Sequence, residues 1–265
     1  MTTTNIKSLS QFANFVTEKA SENKPLWYRG VRDGHNHKLT PSLFRHAATK
    51  TAEGFRTLEN DLMSLFQHRA PPFVGGLTAD PMELLFMMQH HGIPTRLLDC
   101  SENPFVALFF ALEVALWERP GEEKDAAVWI IDPVVLNKVA FENIENNDRI
   151  LAANDDLLNS YLPSNPVRNA GRLPVAMFGI HNSRRIVAQR GVFVLFGSSF
   201  KSMEDEEKIT GQEGLLHKLI IEKEAKREIA KALFNMGVTD SVIYPDLDGL
   251  GREIKNGKEF WRTAG

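Results

Sequence analysis

Three arginines stand at the edges of apolar stretches and not in solvated charge runs. Arg29 follows Trp27 and Tyr28, Arg96 follows Pro94 and Thr95, and Arg185 precedes Gln189 and Gly191. A guanidinium so placed either makes a buried salt bridge or grips an anion through paired N–H donors. For Arg29 the anion reading is favoured. Gly30 beside it leaves room for backbone to approach a ligand, and a strand holds its side chains more rigidly than a loop. For Arg96 a structural reading is favoured, a local pair with Asp99 that braces a turn.

Other reactive side chains offer less. His90 and His91 occupy the last helical turn before Gly92, where the helix dipole favours a protonated imidazole. Neighbouring helix residues point about 100° apart, so the two histidines and Asp99 are poorly arranged to share an ion, and no metal is expected. Cys100 has no basic sequence neighbour that would lower its pKa, and a buried, inert thiol is expected. There is no Gly-rich phosphate loop, G-x-S-x-G elbow, H-E-x-x-H pair or EF-hand loop.

The elements that must position these residues are organised around residues 89–112. A helix opened by Asp80 as N-cap and Pro81 runs to Gly92, with Met82, Leu85, Phe86 and Met88 as core. A short polar segment carrying Thr95, Arg96 and Asp99 follows. Asn103 and Pro104 then open an apolar helix whose only charged residue through Leu116 is Glu113. Apolar all round, it is expected to be buried on all sides.

Ser8 and Gln11 form a capping box for a first helix ending near Ser21. Leu26–Gly30 reads as a strand. Gly34–Pro41 is a loop with solvated His35 and His37. Leu43–Arg69 is mostly helical, with an apolar stripe of Phe55, Leu58, Leu62, Leu65 and Phe66. Further strands are expected at Ala126–Asp132, Val175–Phe178, Val192–Phe196, Leu216–Ile221 and Ser241–Pro245. Arg119–Asp125 reads as a charged loop and Leu162–Arg172 as a long irregular one. An amphipathic helix is expected over Glu224–Met236, and Asp246 opens a terminal helix. Helices dominate the first half and strands the second, without βαβ alternation. The pattern predicts an α+β fold, a helical first half packed on a mixed or antiparallel sheet, in a single domain over residues 1–265.

Apolar residues make up 43% of the 265 positions and charged residues 25%, ordinary values for a globular protein. A net charge of −3 gives no general attraction to nucleic acid or membrane, though a local basic groove stays open. A single cysteine excludes an intramolecular disulfide and a multi-cysteine zinc site. The first residues lack an apolar signal core, so a cytoplasmic protein without a membrane partner is the expectation.

Four motifs resemble those of FRG-domain proteins, a family named for its aromatic-Arg-Gly motif. They are Trp27-Tyr28-Arg29-Gly30, the run Gln89–Asp99 followed by Asn103–Ala111, Arg185–Phe193 with Gln189 and Gly191, and Tyr244–Gly249. They lie in order over about residues 25–255. Cys100 departs from the pattern, where the family would carry an aromatic residue. The motif layout is similar to that of ADP-ribosyltransferase-like folds. The resemblance implies NAD as substrate, with Tyr28, Arg29, Gly30, His91, Thr95 and Arg96 binding it and Arg29, Asp99 and Gln189 as catalytic residues. Gln189 falls where a late glutamate is expected and supplies no negative charge, a role Asp99 could take.

The implied function is transfer of ADP-ribose to an unidentified protein or nucleic acid, or hydrolysis of NAD, in a bacterial or phage toxin or defence effector. The alternative is a non-catalytic module that binds a nucleotide, nucleic acid or protein. Its sign would be a basic groove of Arg29, Arg32, Arg96, Arg184, Arg185 and Arg190. A nuclease using His90 or His91 with Asp99 has little support.

Overall fold

The computed structural model describes residues 1–74, 76, 78–113, 123–144, 148–162, 172–180 and 183–262, the side chains of 258–262 excepted. Seven strands form one mixed sheet: β1 (Thr2–Ile6), β2 (Trp27–Val31), β3 (Leu97–Ser101), β4 (Ala126–Ile131), β5 (Val175–Phe178), β6 (Gly191–Leu195) and β7 (Leu216–Ile221). Their order is β1-β7-β4-β2-β3-β6-β5. The β1–β7 pair is parallel and every other pair is antiparallel. The α+β class and the mixed sheet agree with the sequence pattern.

Helices cover both faces. All six residues of β4 are buried, as a strand covered on both sides requires. On one face lie α1 (Leu9–Ala20), α4 (Pro104–Leu112) and α8 (Lys223–Asn235), whose Phe12, Val16, Leu108, Ile229 and Leu233 pack on Tyr28, Val128 and Leu219. On the other face lie α2 (Ala52–Arg69), α3 (Pro81–His90) and α5 (Pro133–Ala140). There Trp27, Trp129 and Phe196 build one cluster with Leu136. Phe86, Phe193 and Tyr161 build another. Short helical turns α6 (Arg184–Ala188), α7 (Glu207–Thr210) and α9 (Asp240–Ile243) and the terminal α10 (Leu247–Arg262) complete the chain.

Local capping chemistry sets the helix starts. Ser8 Oγ accepts from the Gln11 amide, Asp80 from Met82 and Glu83, and Asn103 Oδ1 from Phe105. Pro133 both ends β4 and opens α5, with Asp132 as its cap.

Five expectations need correction. Among the described residues helices outweigh strands in both halves, and four of the seven strands, β1 to β4, fall before residue 132, so strands do not dominate the second half. The polar segment holding Asp99 is a strand, β3, with Asp99 as its one exposed residue between buried neighbours. Ser241–Pro245 is not a strand. Asp240–Ile243 forms a helical turn, and its apolar Ile243 is buried with Tyr244 against Val106 of α4 instead of in the sheet. The Leu43–Arg69 helix starts only at Ala52, after two 3-10 turns, and Leu65 on its expected stripe is 46% exposed. Finally, α4 is not buried all round: Phe105, Phe109 and Phe110 keep part of their rings in solvent. The continuation of that helix past Glu113, most of the charged loop before Asp125 and most of the irregular loop after Leu162 lie outside the described residues.

Candidate functional site

The sheet splits between two of its central strands. β2 pairs with β4 through five residues but with β3 only at Tyr28 opposite Ser101. Beyond that bridge β2 and β3 no longer pair. Arg29 spans the split by its side chain, donating from Nη1 to the main-chain carbonyl of Asp99 at 2.5 Å. Its Nε is buried and has no hydrogen-bond partner among the described residues. A cleft of about 330 Å³ opens here, bounded by β2, β3, α3, α4, α6 and the loop after β2. That volume is at the lower end of the range for small-molecule sites.

Three residues from distant segments meet in it: Arg29, Asp99 and Gln189. Asp99 is exposed, but its carboxylate is held. Gln89 Nε2 donates to it at 2.7 Å, while the Gln89 carbonyl accepts from the Thr95 hydroxyl at 2.6 Å. Thr95 Oγ1 also accepts from the Leu97 amide. The Gln189 side chain is engaged, with Nε2 donating to the Ile243 carbonyl at 3.1 Å. Its carbonyl oxygen and its second amide proton are left to face a ligand. Its main-chain carbonyl accepts from Ser101 Oγ, tying α6 to the end of β3.

The cleft is electropositive. Arg29, Arg32, Lys38, Arg45 and Arg185 line it, against the carboxylates of Asp99 and Glu113. Lys38 is paired with Asp205. Burial, then the Arg29 guanidinium, lower Arg45 below the ordinary arginine value. His90 is lowered by burial and then by His91 and Arg185, which keeps it neutral near pH 7. Burial pushes the Cys100 thiol up to about 12, against a smaller downward pull from Arg29. Cys100 borders the cleft but is no thiolate at neutral pH.

Two contributors escaped sequence reasoning. Glu113, at the end of α4, lines the cleft and accepts from the Tyr244 hydroxyl at 3.1 Å. The Tyr244 ring lies between Arg185 and Arg252, with guanidinium carbons 4.8 and 3.9 Å from its centroid. Burial, the largest cause, pushes the phenol up to about 12, so it remains a donor. The lone charge of Glu113 in an apolar helix was a visible signal, but its partner lies 131 residues away.

Of the other expected site residues, Tyr28 and Gly30 line the cleft, whereas Thr95, Arg96 and His91 are not among its lining residues. Thr95 acts behind it through Gln89. Arg96 does not pair with Asp99. Its Nε and Nη2 fork the two Glu59 carboxylate oxygens, Nη1 donates to the Tyr161 carbonyl, and its guanidinium lies 4.9 Å from the Phe55 ring centroid. Both partners are 2% exposed. Arg96 therefore joins α2 to the start of β3 as architecture. Gly30 serves packing as well as access: a Cβ there would lie 1.8 Å from the Ala107 carbonyl oxygen of α4. Of the expected basic groove, Arg29, Arg32 and Arg185 are present, while Arg184 and Arg190 are not among its lining residues.

The family model of the FRG domain matches residues 24–119, which span β2, β3, α4 and the split between them. No curated protein and no solved structure matches the chain. The motifs around Gln189 and Tyr244 lie beyond the matched residues and pack against the same cleft. Among the described residues no helix is long and apolar enough to cross a membrane. With the aromatic-Arg-Gly strand, the 89–99 run and the apolar helix all inside the match, this chain carries an FRG domain.

Proposed function

We propose that the cleft binds NAD and breaks its nicotinamide–ribose bond, passing ADP-ribose to a macromolecular acceptor or to water. One observation carries the reading. Arg29, Asp99 and Gln189, separated by 70 and 90 residues, meet in a single cleft whose guanidiniums exceed its carboxylates. The order of these residues follows the ADP-ribosyltransferase-like layout: early-strand arginine, polar strand-to-helix motif, late polar residue.

In this reading Arg29 holds the diphosphate, and Tyr28, Phe86 and Phe110 give the rings apolar walls. As the C–N bond breaks, its electron pair leaves with nicotinamide and cancels the pyridinium charge. Positive charge develops on the ribose, and a fixed carboxylate stabilises it without reorganising. Asp99 is fixed by Gln89. Gln189 contributes an acceptor oxygen but no charge. The acceptor's oxygen or nitrogen then bonds to the ribose carbon, and its proton passes to neutral His90 or to solvent.

The second reading is a non-catalytic binding module for a nucleotide, nucleic acid or protein. Gln189 favours it, being neutral and tied to Ile243. Calorimetric titration of NAD into the wild type and Arg29→Gln tests the common premise. Saturable binding lost in the variant supports a nucleotide site. Absence of NAD binding to the wild type contradicts the NAD reading.

A further inference from the structure

We infer that Arg45 and His37 join Arg29 in a diphosphate subsite, an assignment that deepens the NAD reading and rests on it only for the remainder of the ligand. The three side chains come from different segments, β2, the loop after it and the 3-10 turn Leu43–Arg45, and line the same cleft. Each has donors turned to no protein acceptor among the described residues. Arg29 spends Nη1 on the Asp99 carbonyl, which leaves the Nε–Nη2 edge as a fork, with Nε buried and unbonded. A fork of that kind matches two oxygens of one phosphate. Arg45 spends one Nη2 proton on the Thr40 carbonyl at 3.1 Å.

His37 is set up as a donor. Its Nδ1 accepts from the Asp33 amide at 3.3 Å. Burial lowers its pKa, and of its charged neighbours Asp33 opposes this while Arg32, Arg45 and Lys124 reinforce it. The neutral ring with Nδ1 accepting must carry its proton on Nε2.

No carboxylate is paired with Arg29 or Arg45 among the described residues, although the two guanidiniums are near enough to interact. Two like charges held near each other, neither paired with a carboxylate, and together with Arg32 and Arg185 outnumbering Asp99 and Glu113, favour an anion of charge two or more. Their N–H groups with that of His37 outnumber the three terminal oxygens of a single ester phosphate. A diphosphate uses them more fully. A nucleic-acid backbone, with one charge per phosphodiester along an extended path, fits a small cleft of about 330 Å³ less well.

The test titrates inorganic pyrophosphate and inorganic phosphate into the full chain, wild type, Arg45→Gln and His37→Gln. Arg45 and His37 are exposed, so both variants should fold, and thermal melts check this. Pyrophosphate should bind saturably and more tightly than phosphate. Arg45→Gln should weaken it about tenfold or more, the loss of one charge-assisted contact, and His37→Gln by less. No pyrophosphate binding at millimolar concentration, or unchanged binding by folded Arg45→Gln, overturns the assignment. So does displacement of pyrophosphate by a short single-stranded oligonucleotide that binds more tightly. Pyrophosphate binding without NAD binding leaves this subsite standing and removes NAD. NAD binding unaffected by Arg45→Gln does the reverse.

Discussion

Gln89 holds Asp99: its amide nitrogen donates to the aspartate carboxylate at 2.7 Å while its carbonyl accepts a hydrogen bond from the Thr95 hydroxyl at 2.6 Å. The cleft's carboxylate is thus oriented from the end of α3, with its reference point in a fully buried threonine. Gln89→Leu should leave the Thr95 hydroxyl without an acceptor and free Asp99 to rotate. The expected loss of stability is about 1–3 kcal/mol, the cost of one unsatisfied buried polar group. Urea denaturation measures it, and NAD turnover should fall further than NAD affinity.

Glu59 and Arg96 form the ion pair that anchors β3 to α2. Removing one partner of a fully buried pair leaves an uncompensated charge and typically costs about 3–5 kcal/mol. Glu59→Gln should approach that loss in urea titrations. The double replacement Glu59→Leu with Arg96→Met should recover part of it, because two apolar groups strand no charge. A double variant as unstable as the single one would contradict the account.

Gly30→Ala should disrupt the fold. The added methyl would overlap backbone of α4 at Ala107 and Ala111, which cannot rotate aside as a side chain could. Circular dichroism melts should show a loss larger than the about 1–3 kcal/mol usual for overpacking, or no folded protein. Wild-type stability would show that the close approach of α4 is not what requires glycine at position 30.

His37, His90 and His217 are all lowered from the usual 6.5, with burial the first cause in each. A histidine of lowered folded-state pKa takes up its proton more readily when unfolded. Its stabilising effect is therefore whole above pH 6.5 and is lost as pH falls through 6.5 toward the folded value. Melting temperature should decline between about pH 7 and 5, before the lowered carboxylates Asp125, Asp155 and Asp205 begin to protonate. The decline should flatten in His90→Gln and His217→Gln.

Cys100 should resist a thiol reagent at pH 8 in the folded protein and react at once in denaturant. Its pKa of about 12 leaves a negligible thiolate fraction. Rapid native labelling would place an activated thiol in the cleft and reopen covalent chemistry.

Features fixed by neighbours in sequence were legible. The caps at Ser8, Asp80 and Asn103 are read from residues two or three apart, and each forms as expected. The continuous apolar run of β4 was equally plain. β1 was hidden by three threonines, because an exposed edge strand needs no apolar face. Arg96 misled because its partner is not Asp99, three residues on, but Glu59, 37 residues back on the buried side of α2. For Gly30 the residue was noticed and its packing role was not: closeness to α4 exists only once the chain has folded. The cleft members Arg29, Asp99 and Gln189 were found through motifs, while the places of Arg45, His37 and Glu113 in the cleft required coordinates.

Whether the cleft breaks the nicotinamide–ribose bond is decided by nicotinamide release from NAD, measured for the wild type and Arg29→Gln with and without cell lysate. The wild type should release nicotinamide, at least with lysate to supply an acceptor, and the variant should not. Release that survives Arg29→Gln would contradict the assigned site. No release by the wild type under either condition would contradict the chemistry and leave a cleft that binds without turnover.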